Sequence, residues 1–494
     1  MTPRLILSIL LLFFHCANAI SQNKKVSISG KIIGNKSDSI YYSFPVAGTQ
    51  NFGWGKKHKL DHEGKLEIAM DLDQPGFMRF GKNMIFVEPG NAYSFEMDLT
   101  TETFSVQGKN QKGQQFLNSL SRSWDWFGVH KASRIYRKDT VNWWERIEAS
   151  RDEELKELKR IFNEEEVSEV FYNAVKNNIT CFYFALLAKN LSYLSVDLVK
   201  AETENQTFGK IPFKKLWEKL YAQYPVQNDK AIQSFWWFDY AESYITVYKA
   251  VLEPLSLGSL TLEAVEMKYK NEVFDSFYET SARENLNGKY LEFYLARYLH
   301  FAGFQKKFRK DILSVYQNFK RDYPDSPFKP MVKAQLDPVV KFYKKAMKEF
   351  DDGIKFIPGK NINTFQELIA KFKGMPIFID VWATWCGPCK QEFAHNKPLK
   401  DFLNEKGIEM LYVTIDKESR REKWKNMIKY YNLIGNHTFA NGKLIKDIHN
   451  LYDADGSVAI PWYIIVDKQG NIAIKHAKKP SSKEALYEQI MGVL

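Results

Sequence analysis

Two cysteines separated by two residues are the strongest chemical signal in this sequence of 494 residues. They lie in the segment WCGPC, residues 385–389, between an apolar run and a stretch with helical periodicity. A thiol at the N-terminus of a helix, here Cys386, is stabilised as the thiolate by the helix dipole and the free amide groups. Cys389 lies one turn inside the predicted helix, where it can attack a mixed disulfide formed on Cys386. The spacing therefore predicts thiol–disulfide exchange.

Two other interpretations of the cysteine pair are weaker. A structural zinc site needs four ligands, whereas the sequence has no second CxxC motif and His395 is a single nearby candidate. A purely structural disulfide is also a poor explanation for two cysteines in such a small exposed loop. We therefore expect no metal ion at this site.

The residues around the pair resemble the active-site segment of thioredoxins. The similarity extends over IDVWATWCGPCK, residues 379–390, and Ile460-Pro461 before a β-run is similar to the cis-proline of that superfamily. Glu392 and an insertion between the central strands make the segment most similar to the exported TlpA and ResA branch. This resemblance covers about residues 354–494, and it implies a thioredoxin-like fold and thiol:disulfide oxidoreductase activity without an organic cofactor.

The resemblance also implies roles for individual residues. Cys386 would be the nucleophile and Cys389 the resolving thiol of a redox-active disulfide. Asp380 matches the buried carboxylate that takes the proton of the resolving cysteine, and burial would raise its pKa; a capping aspartate at a strand end is the alternative. Glu392 either tunes the cysteine pair or is a surface charge.

Four residues are predicted to contact an extended substrate. A cis Pro461 would bring the Ile460 backbone beside Cys386 for main-chain pairing without sequence selectivity. Trp385, by resemblance, and Trp462, by its neighbourhood, would flank the thiols as an apolar platform. The Gly-Pro dipeptide between the cysteines is that of the reducing thioredoxins. It predicts reduction of protein disulfides, with a membrane partner as the electron donor.

The N-terminal residues predict export. Arg4, the apolar run 5–14 and the small-x-small pattern at 17–19 are typical of a cleavable signal peptide over residues 1–19. Ten apolar residues are too few for a bilayer span, which needs about 20, and an uncleaved anchor is the alternative. Cys16 lacks the small preceding residues of a lipobox, so a lipoprotein anchor is not expected. We predict a periplasmic or otherwise exported protein.

The composition excludes several classes of protein. The chain has 45% apolar and 26% charged residues, which excludes a disordered protein, a collagen-like protein and a multi-pass membrane protein. Its four cysteines are too few for a disulfide scaffold. The net charge is +11, but the basic residues are scattered among acidic ones in segments such as 151–160, so a nucleic-acid partner is not expected. Cys181 lies among bulky apolar residues and is predicted to be a buried, inert thiol.

At roughly 150 residues per domain, the length predicts about three domains. Apolar residues at period two predict a β-rich domain over residues 20–110, similar to the N-terminal domain of many exported Bacteroidetes proteins with thioredoxin-like domains. Helical periodicity predicts a mainly helical domain over 111–350, with aromatic residues in its core. Three prolines are expected to break its helices: Pro225, Pro254 and Pro324. Alternating strands and helices predict an α/β domain with parallel pairing over 354–494.

These features together predict an exported thiol:disulfide oxidoreductase that reduces protein disulfides by dithiol exchange through the WCGPC motif. The alternative is a partner-binding protein whose first 350 residues capture the partner, with an accessory or regulatory thioredoxin-like domain. Peroxidase activity is not expected, because the sequence lacks the Pro-x-x-x-Thr-x-x-Cys pattern.

Overall fold

The structure is a computed structural model of the chain. It describes residues 24–47, 52, 55–120, 122, 128–137, 142–202, 213–256, 261, 263–264, 267, 273–305, 308–452 and 458–494. The predicted signal peptide, residues 1–19, lies outside these ranges. None of the helices within them is both long and apolar enough to cross a lipid bilayer.

The chain divides into two compact units. The first contains residues 1–305 and 309–336, and the second contains residues 306–308 and 337–494. The β-rich and the helical segments both belong to the first unit. The domain boundaries near residues 110 and 350 stay predictions.

The first unit begins with two four-stranded sheets whose apolar faces share one core. Their strands are β1 Lys25–Ile33, β2 Ser39–Ser43, β3 Lys56–Lys59, β4 Lys65–Asp71, β5 Gly76–Phe80, β6 Asn83–Val87, β7 Ala92–Asp98 and β8 Thr103–Gly108. The strand orders are β4-β1-β7-β8 and β3-β2-β5-β6. In β1 the apolar side chains of Val26, Ile28 and Ile32 are buried and alternate with polar residues, as the period of two requires. The predicted β-rich region is confirmed.

Helix α1, Gln111–Ser119, lies along strand β6, which is an edge strand of its sheet, and its side chains bond to the free backbone groups of that strand. The side-chain amide of Gln114 accepts the backbone N–H of Phe86 at 3.0 Å and donates to its carbonyl at 2.7 Å. Asn118 makes the same pair of bonds with Met84, at 2.9 and 2.8 Å. Unpaired strand edges can pair with other chains. The two amides therefore protect this edge while they attach the first helix to the sheet.

The rest of the first unit is helical. Its elements are α2 Gly128–Arg137, α3 Trp143–Asn163, α4 Glu169–Glu202, α5 Phe213–Gln223, α6 Trp237–Glu242, a π-helix Ser243–Leu252, α7 Glu253–Ser256, α8 Phe274–Asn285, α9 Gly288–Phe304, α10 Ile312–Asp322 and α11 Lys329–Ala346, which continues into the second unit. Large aromatic side chains fill its interior: Trp217, Trp236, Trp237, Tyr240 and Tyr294 are fully buried. The predicted helical region is confirmed, and its aromatic residues form core.

Two of the three predicted helix breaks follow helix ends: α5 ends before Pro225 and α10 ends before Pro324. The break predicted at Pro254 is wrong. There the π-helix Ser243–Leu252 continues directly into α7, and the Glu253 backbone stays helical, with φ −64° and ψ −49°. Proline removes one N–H donor from such a helix, but its fixed φ near about −65° fits the helical backbone, so it does not have to end the helix.

Glu88 connects the two four-stranded sheets to the helices that follow them. This buried carboxylate accepts hydrogen bonds from Asn110 at 2.6 Å, Ser168 at 2.9 Å and Lys109 at 2.8 Å. Glu88→Ala removes the acceptor of three bonds, so we expect the free energy of unfolding to fall by about 3 kcal/mol. Urea denaturation followed by tryptophan fluorescence measures this loss. Glu102→Ala, at an exposed carboxylate, should lower the free energy of unfolding much less; equal losses would contradict the assignment.

The second unit is a six-stranded sheet with helices packed against it. Its elements are β9 Ile354–Ile357, α12 Phe365–Ile369, β10 Ile377–Trp382, α13 Gly387–Glu392, α14 Asn396–Glu405, β11 Glu409–Thr414, α15 Arg421–Tyr431, β12 Gly435–Phe439, α16 Gly442–Tyr452, β13 Trp462–Val466, β14 Ile472–Ile474 and α17 Glu484–Met491. The strand order is β14-β13-β10-β11-β12-β9, with β10, β11, β12 and β9 parallel and β13 antiparallel to β10. The predicted α/β fold with parallel pairing is confirmed.

Candidate active site

The two cysteines lie where strand β10 passes into helix α13. Cys386 is the N-cap of the helix, and its Sγ accepts the backbone N–H of Cys389 at 3.1 Å. Pro388 lies in the first turn, where a missing N–H costs no hydrogen bond. Cys386 and Cys389 form a disulfide with their Cα atoms 5.4 Å apart. The structure thus holds an oxidised pair at the end of a helix.

The two cysteines of the disulfide and the tryptophan before them differ in their exposure to solvent. Cys389 is fully buried and Cys386 is 3% exposed, whereas the preceding Trp385 is 56% exposed. Of the two cysteines, only Cys386 keeps any exposed surface, so we predict that an incoming sulfur atom reacts with Cys386 and not with Cys389. The exposed indole of Trp385 gives this entrance an apolar surface.

The Ile460-Pro461 peptide lies against the nucleophilic cysteine. Its bond is cis, as predicted, and the Ile460 carbonyl oxygen is 3.7 Å from the Sγ of Cys386. Strand β13 begins at the next residue and pairs with Val381 of β10. Antiparallel pairing of β13 with β10 thus brings a segment 74 residues away to the disulfide.

Trp462 lies deeper than Trp385. Its ring is buried against Tyr452 and His476, and its Nε1 donates to the Lys475 carbonyl at 2.6 Å. It supports the cis-proline segment from within the fold. Its predicted contact with substrate stays a prediction.

Asp380 lies inside strand β10, beneath the helix that carries the disulfide. It shares a face of the sheet with Trp382, whose ring meets Phe393 directly after α13 at 5.2 Å. Asp380 is 1% exposed, and neither carboxylate oxygen has a hydrogen-bond partner within the described residues. Burial raises the pKa of Asp380 well above its usual range, and the like charge of Glu392 raises it further. An aspartate without hydrogen bonds caps nothing, so that alternative is wrong.

Glu392 is the last residue of α13, and it is 8% exposed. Its two oxygens accept the O–H and the N–H of Ser481, at 3.0 and 2.9 Å, and the Nζ of Lys479 is 3.7 Å away. The surface-charge alternative is therefore wrong, while tuning of the cysteines stays a prediction. Sequence reasoning missed both contacts, because Ser481 lies 89 residues after Glu392 and carries no local signal.

A second buried carboxylate fixes the loop in front of the cysteines. Asp416 follows strand β11 and accepts the N–H of Thr384 at 2.6 Å and its hydroxyl at 3.1 Å. Burial raises the pKa of Asp416. Sequence reasoning missed this residue, although a carboxylate at the carboxyl end of the neighbouring parallel strand is a usable signal.

Cys181 belongs to the first unit and is fully buried. Burial raises the pKa of its thiol to about 12. The thiolate is the reactive form of cysteine, so very little reactive Cys181 exists at neutral pH. This agrees with the prediction of an inert thiol.

The family comparison covers the whole of this site. Residues 359–490 match the profile of the Redoxin family, and the match contains every residue from Asp380 to Ser481. These residues form a Redoxin domain. The predicted similarity to the thioredoxin superfamily is confirmed for this domain.

The Redoxin domain is similar to named thiol-disulfide oxidoreductases. The chain is 30% identical over 123 residues to ResA of Bacillus cereus, which is 25% of this chain and 65% of that protein. It is 29% identical over 128 residues to the thiol:disulfide interchange protein DsbE of Yersinia pestis, covering 24% of this chain and 56% of that protein. The chain thus spans less than two thirds of the length of these curated relatives.

A solved structure with similarity to this chain is a thiol:disulfide interchange protein from Bacteroides sp. The sequence identity is 24% and the TM-score is 0.21. The alignment covers 25% of this chain and 74% of that chain.

The charge of Glu392 has a testable effect on Asp380. Glu392→Gln keeps an acceptor for Ser481 but removes the like charge, so the pKa of Asp380 is expected to fall. With Asp380 as the predicted proton acceptor, the acidic limb of the pH dependence predicted for disulfide reduction should then move to lower pH, because Asp380 stays ionised there. Stopped-flow rates at several pH values measure this limb. Glu405→Gln, at an exposed carboxylate of the same unit, should leave it in place; a shift to higher pH would contradict the coupling.

Proposed function

We propose that the protein is an exported thiol:disulfide oxidoreductase that reduces protein disulfides through Cys386 and Cys389. The observation that carries this proposal is the disulfide at the N-terminus of α13, with the Ile460 carbonyl oxygen 3.7 Å from the Sγ of Cys386. The Redoxin domain and the named oxidoreductases that it is similar to support the same chemistry.

The first step of the reaction is attack on the substrate. In the reduced protein, the Cys386 thiolate attacks one sulfur of a substrate disulfide. A bond forms between Cys386 and that sulfur, the substrate S–S bond breaks, and the second substrate sulfur leaves as a thiolate. Helix α13 stabilises the attacking anion through its dipole and the N–H of Cys389.

The second step releases the reduced substrate. The Cys389 thiol loses its proton, and its sulfur attacks Cys386 to form the disulfide seen in the structure. The bond between Cys386 and the substrate breaks, and the substrate sulfur leaves as a thiolate; proton uptake from solvent by the substrate thiolates completes the dithiol. Asp380 is the proton acceptor in this step, because it is a buried carboxylate beneath the same helix with unpartnered oxygens. A pKa raised by burial brings such a carboxylate closer to neutral pH, where it can accept and release protons.

The direction of exchange follows from the residues between the cysteines and from the source of electrons. The Gly-Pro dipeptide favours a reducing pair. Each turnover leaves the protein oxidised, so an external dithiol must reduce it again. The signal-peptide pattern of residues 1–19 supports export in this proposal, and a membrane dithiol protein would then be the donor.

The reduction potential of the cysteine pair tests the direction. Equilibration of the purified protein with glutathione buffers should give a value near about −270 mV, the range of reducing thioredoxins. A value near about −120 mV, typical of strong oxidants, would reverse the proposed direction. Failure of the reduced protein to cleave the disulfides of insulin would overturn the proposed activity.

A partner-binding protein with an accessory redox domain is the alternative. Domains that keep only the fold commonly lose the cysteines, whereas this chain keeps both and pairs them beside a cis-proline. These observations favour the enzyme.

A further inference from the structure

A basic segment follows strand β14 of the Redoxin domain. Residues 468–483 contain five lysines and no aspartate or glutamate. Four of these lysines, at positions 475, 478, 479 and 483, follow β14. We refer to Lys475, Lys478, Lys479 and Lys483 as the basic rim.

The basic rim lies beside both halves of the active site. The Lys475 carbonyl accepts the indole N–H of Trp462, which directly follows the cis-proline. Two residues later, the backbone N–H of Ala477 donates to the carbonyl of Tyr463 at 2.9 Å. The segment then reaches helix α13, where Ser481 donates to Glu392. The lysines are thus carried past the cis-proline and up to the helix of the cysteines.

The positive charges of the basic rim are available to a ligand. Within the described part of the chain, no carboxylate lies within 4.0 Å of Lys475, Lys478 or Lys483, and all three are exposed. Lys479 is 62% exposed and approaches the nearly buried Glu392 only to 3.7 Å. Charges that are not neutralised within the fold attract an anionic partner and repel a cationic one.

We propose that the basic rim makes this oxidoreductase select protein disulfides that are flanked by acidic residues. The inference rests on the proposed function and adds the class of substrate to it. An extended substrate beside Ile460 advances about 3.3 Å per residue. Residues a few positions from its cysteine therefore fall within reach of the long lysine side chains. Aspartate or glutamate at these positions meets unpaired positive charge, and lysine or arginine meets repulsion.

The position of the basic rim beside the cysteines indicates which class of anionic ligand it binds. Nucleic acids and lipid headgroups carry negative charge but no sulfur that can react with Cys386. A ligand that uses both the basic rim and the exposed Trp385 next to the cysteine needs a disulfide, an apolar contact and acidic neighbours. A protein segment provides all three.

Matched peptides test the proposed selectivity. Three disulfide-linked peptides differ only in the residues that flank the cysteines, which are glutamate, glutamine or lysine. Their rates with the reduced full-length protein are divided by their rates with dithiothreitol, which removes differences in intrinsic reactivity. At low salt we expect kcat/KM to be about tenfold higher for the glutamate than for the glutamine peptide, and lowest for the lysine peptide. The preference should shrink at about 1 M salt, where the screening length is about 3 Å.

Charge-reversal variants assign the selectivity to this surface. Lys475→Glu combined with Lys478→Glu should reverse the order of the glutamate and lysine peptides. The control pair Lys371→Glu and Lys373→Glu changes the net charge equally, but these exposed residues precede β10, whereas the cysteines follow it. The control should keep the wild-type order.

Two results would overturn the inference, and they are distinguishable. If the wild type reduces the three peptides equally well, or if both double variants change the order alike, the basic rim does not select the substrate and the proposed function stands. If the wild type reduces none of the peptides and no insulin, the proposed function itself fails.

Discussion

Replacement of Cys386 by serine is expected to abolish the reduction of protein disulfides. Cys389→Ser should instead stop the reaction one step later, with the substrate bound covalently to Cys386. The difference follows from burial, because Cys386 keeps a small exposed fraction of 3% and Cys389 is fully buried. A serine hydroxyl in either position cannot form the S–S bond that its step requires. We expect the turnover of insulin to fall by at least about 10³-fold in both variants.

Non-reducing electrophoresis separates the two variants. Cys389→Ser should yield protein adducts that dithiothreitol releases, and Cys386→Ser should yield none. Cys181→Ser is the matched control, because this buried thiol is predicted to be inert, and the turnover of the variant should equal that of the wild type. Partners that Cys389→Ser retains only through noncovalent contacts would favour the partner-binding alternative. Full insulin reduction by Cys386→Ser would refute the proposed activity.

The parts of the site that the sequence predicts are those built from contiguous residues. Strand β10, the turn and helix α13 follow one another, so the spacing of Asp380, Cys386 and Cys389 along these elements is set by one contiguous stretch of sequence. The cis bond at Ile460-Pro461 needs a proline, and the resemblance to thioredoxins identified which proline it is. Sequence similarity to a known segment is strongest where the geometry depends on such a short stretch.

Strand β12, Gly435–Phe439, shows why other elements escaped prediction. Its sequence GNHTF has no alternation of apolar and polar residues, yet all five residues are buried. Asn436 donates to Glu409 at 2.8 Å, and the ring of His437 stacks on Tyr412 with centroids 4.7 Å apart. Polar residues are buried at low cost when such partners exist. Those partners come from the adjacent strand β11, and periodicity along β12 cannot reveal them.

The same limit applies to the carboxylates of the site. The pattern of the sequence could not distinguish a buried Glu392 from a surface charge, because the deciding contact comes from Ser481. Asp416 holds Thr384 across 32 residues. In both cases a short-range motif places the cysteines, and long-range hydrogen bonds fix the residues around them.

Asp380→Asn is expected to slow the reaction and to stabilise the fold, two effects of opposite sign from one residue. The amide cannot accept the proton of Cys389, so release of the reduced substrate should slow by about 10²-fold or more. The effect on stability follows from the pKa of Asp380, which burial raises above that of the unfolded chain. Between these two pKa values the folded state holds more protons than the unfolded state. Its stability therefore decreases as pH rises through this window, by up to about 1.4 kcal/mol per pH unit.

Asp380→Asn has no carboxylate to ionise, so its stability does not decrease as pH rises through this window. The difference in free energy of unfolding between the variant and wild type should therefore grow with pH and reach its maximum above the pKa of folded Asp380. Urea unfolding of the full chain at several pH values, followed by hydrogen exchange of β10 peptides, measures the difference from wild type. The raised pKa of Asp416 acts equally in both proteins and cancels in that difference. Asp401→Asn, at an exposed position, should change neither rate nor stability. Asp380→Asn could instead slow the reaction without becoming more stable than wild type as pH rises. The pKa of Asp380 in the folded protein would then not be raised. Its assignment as the proton acceptor would lose its physical basis.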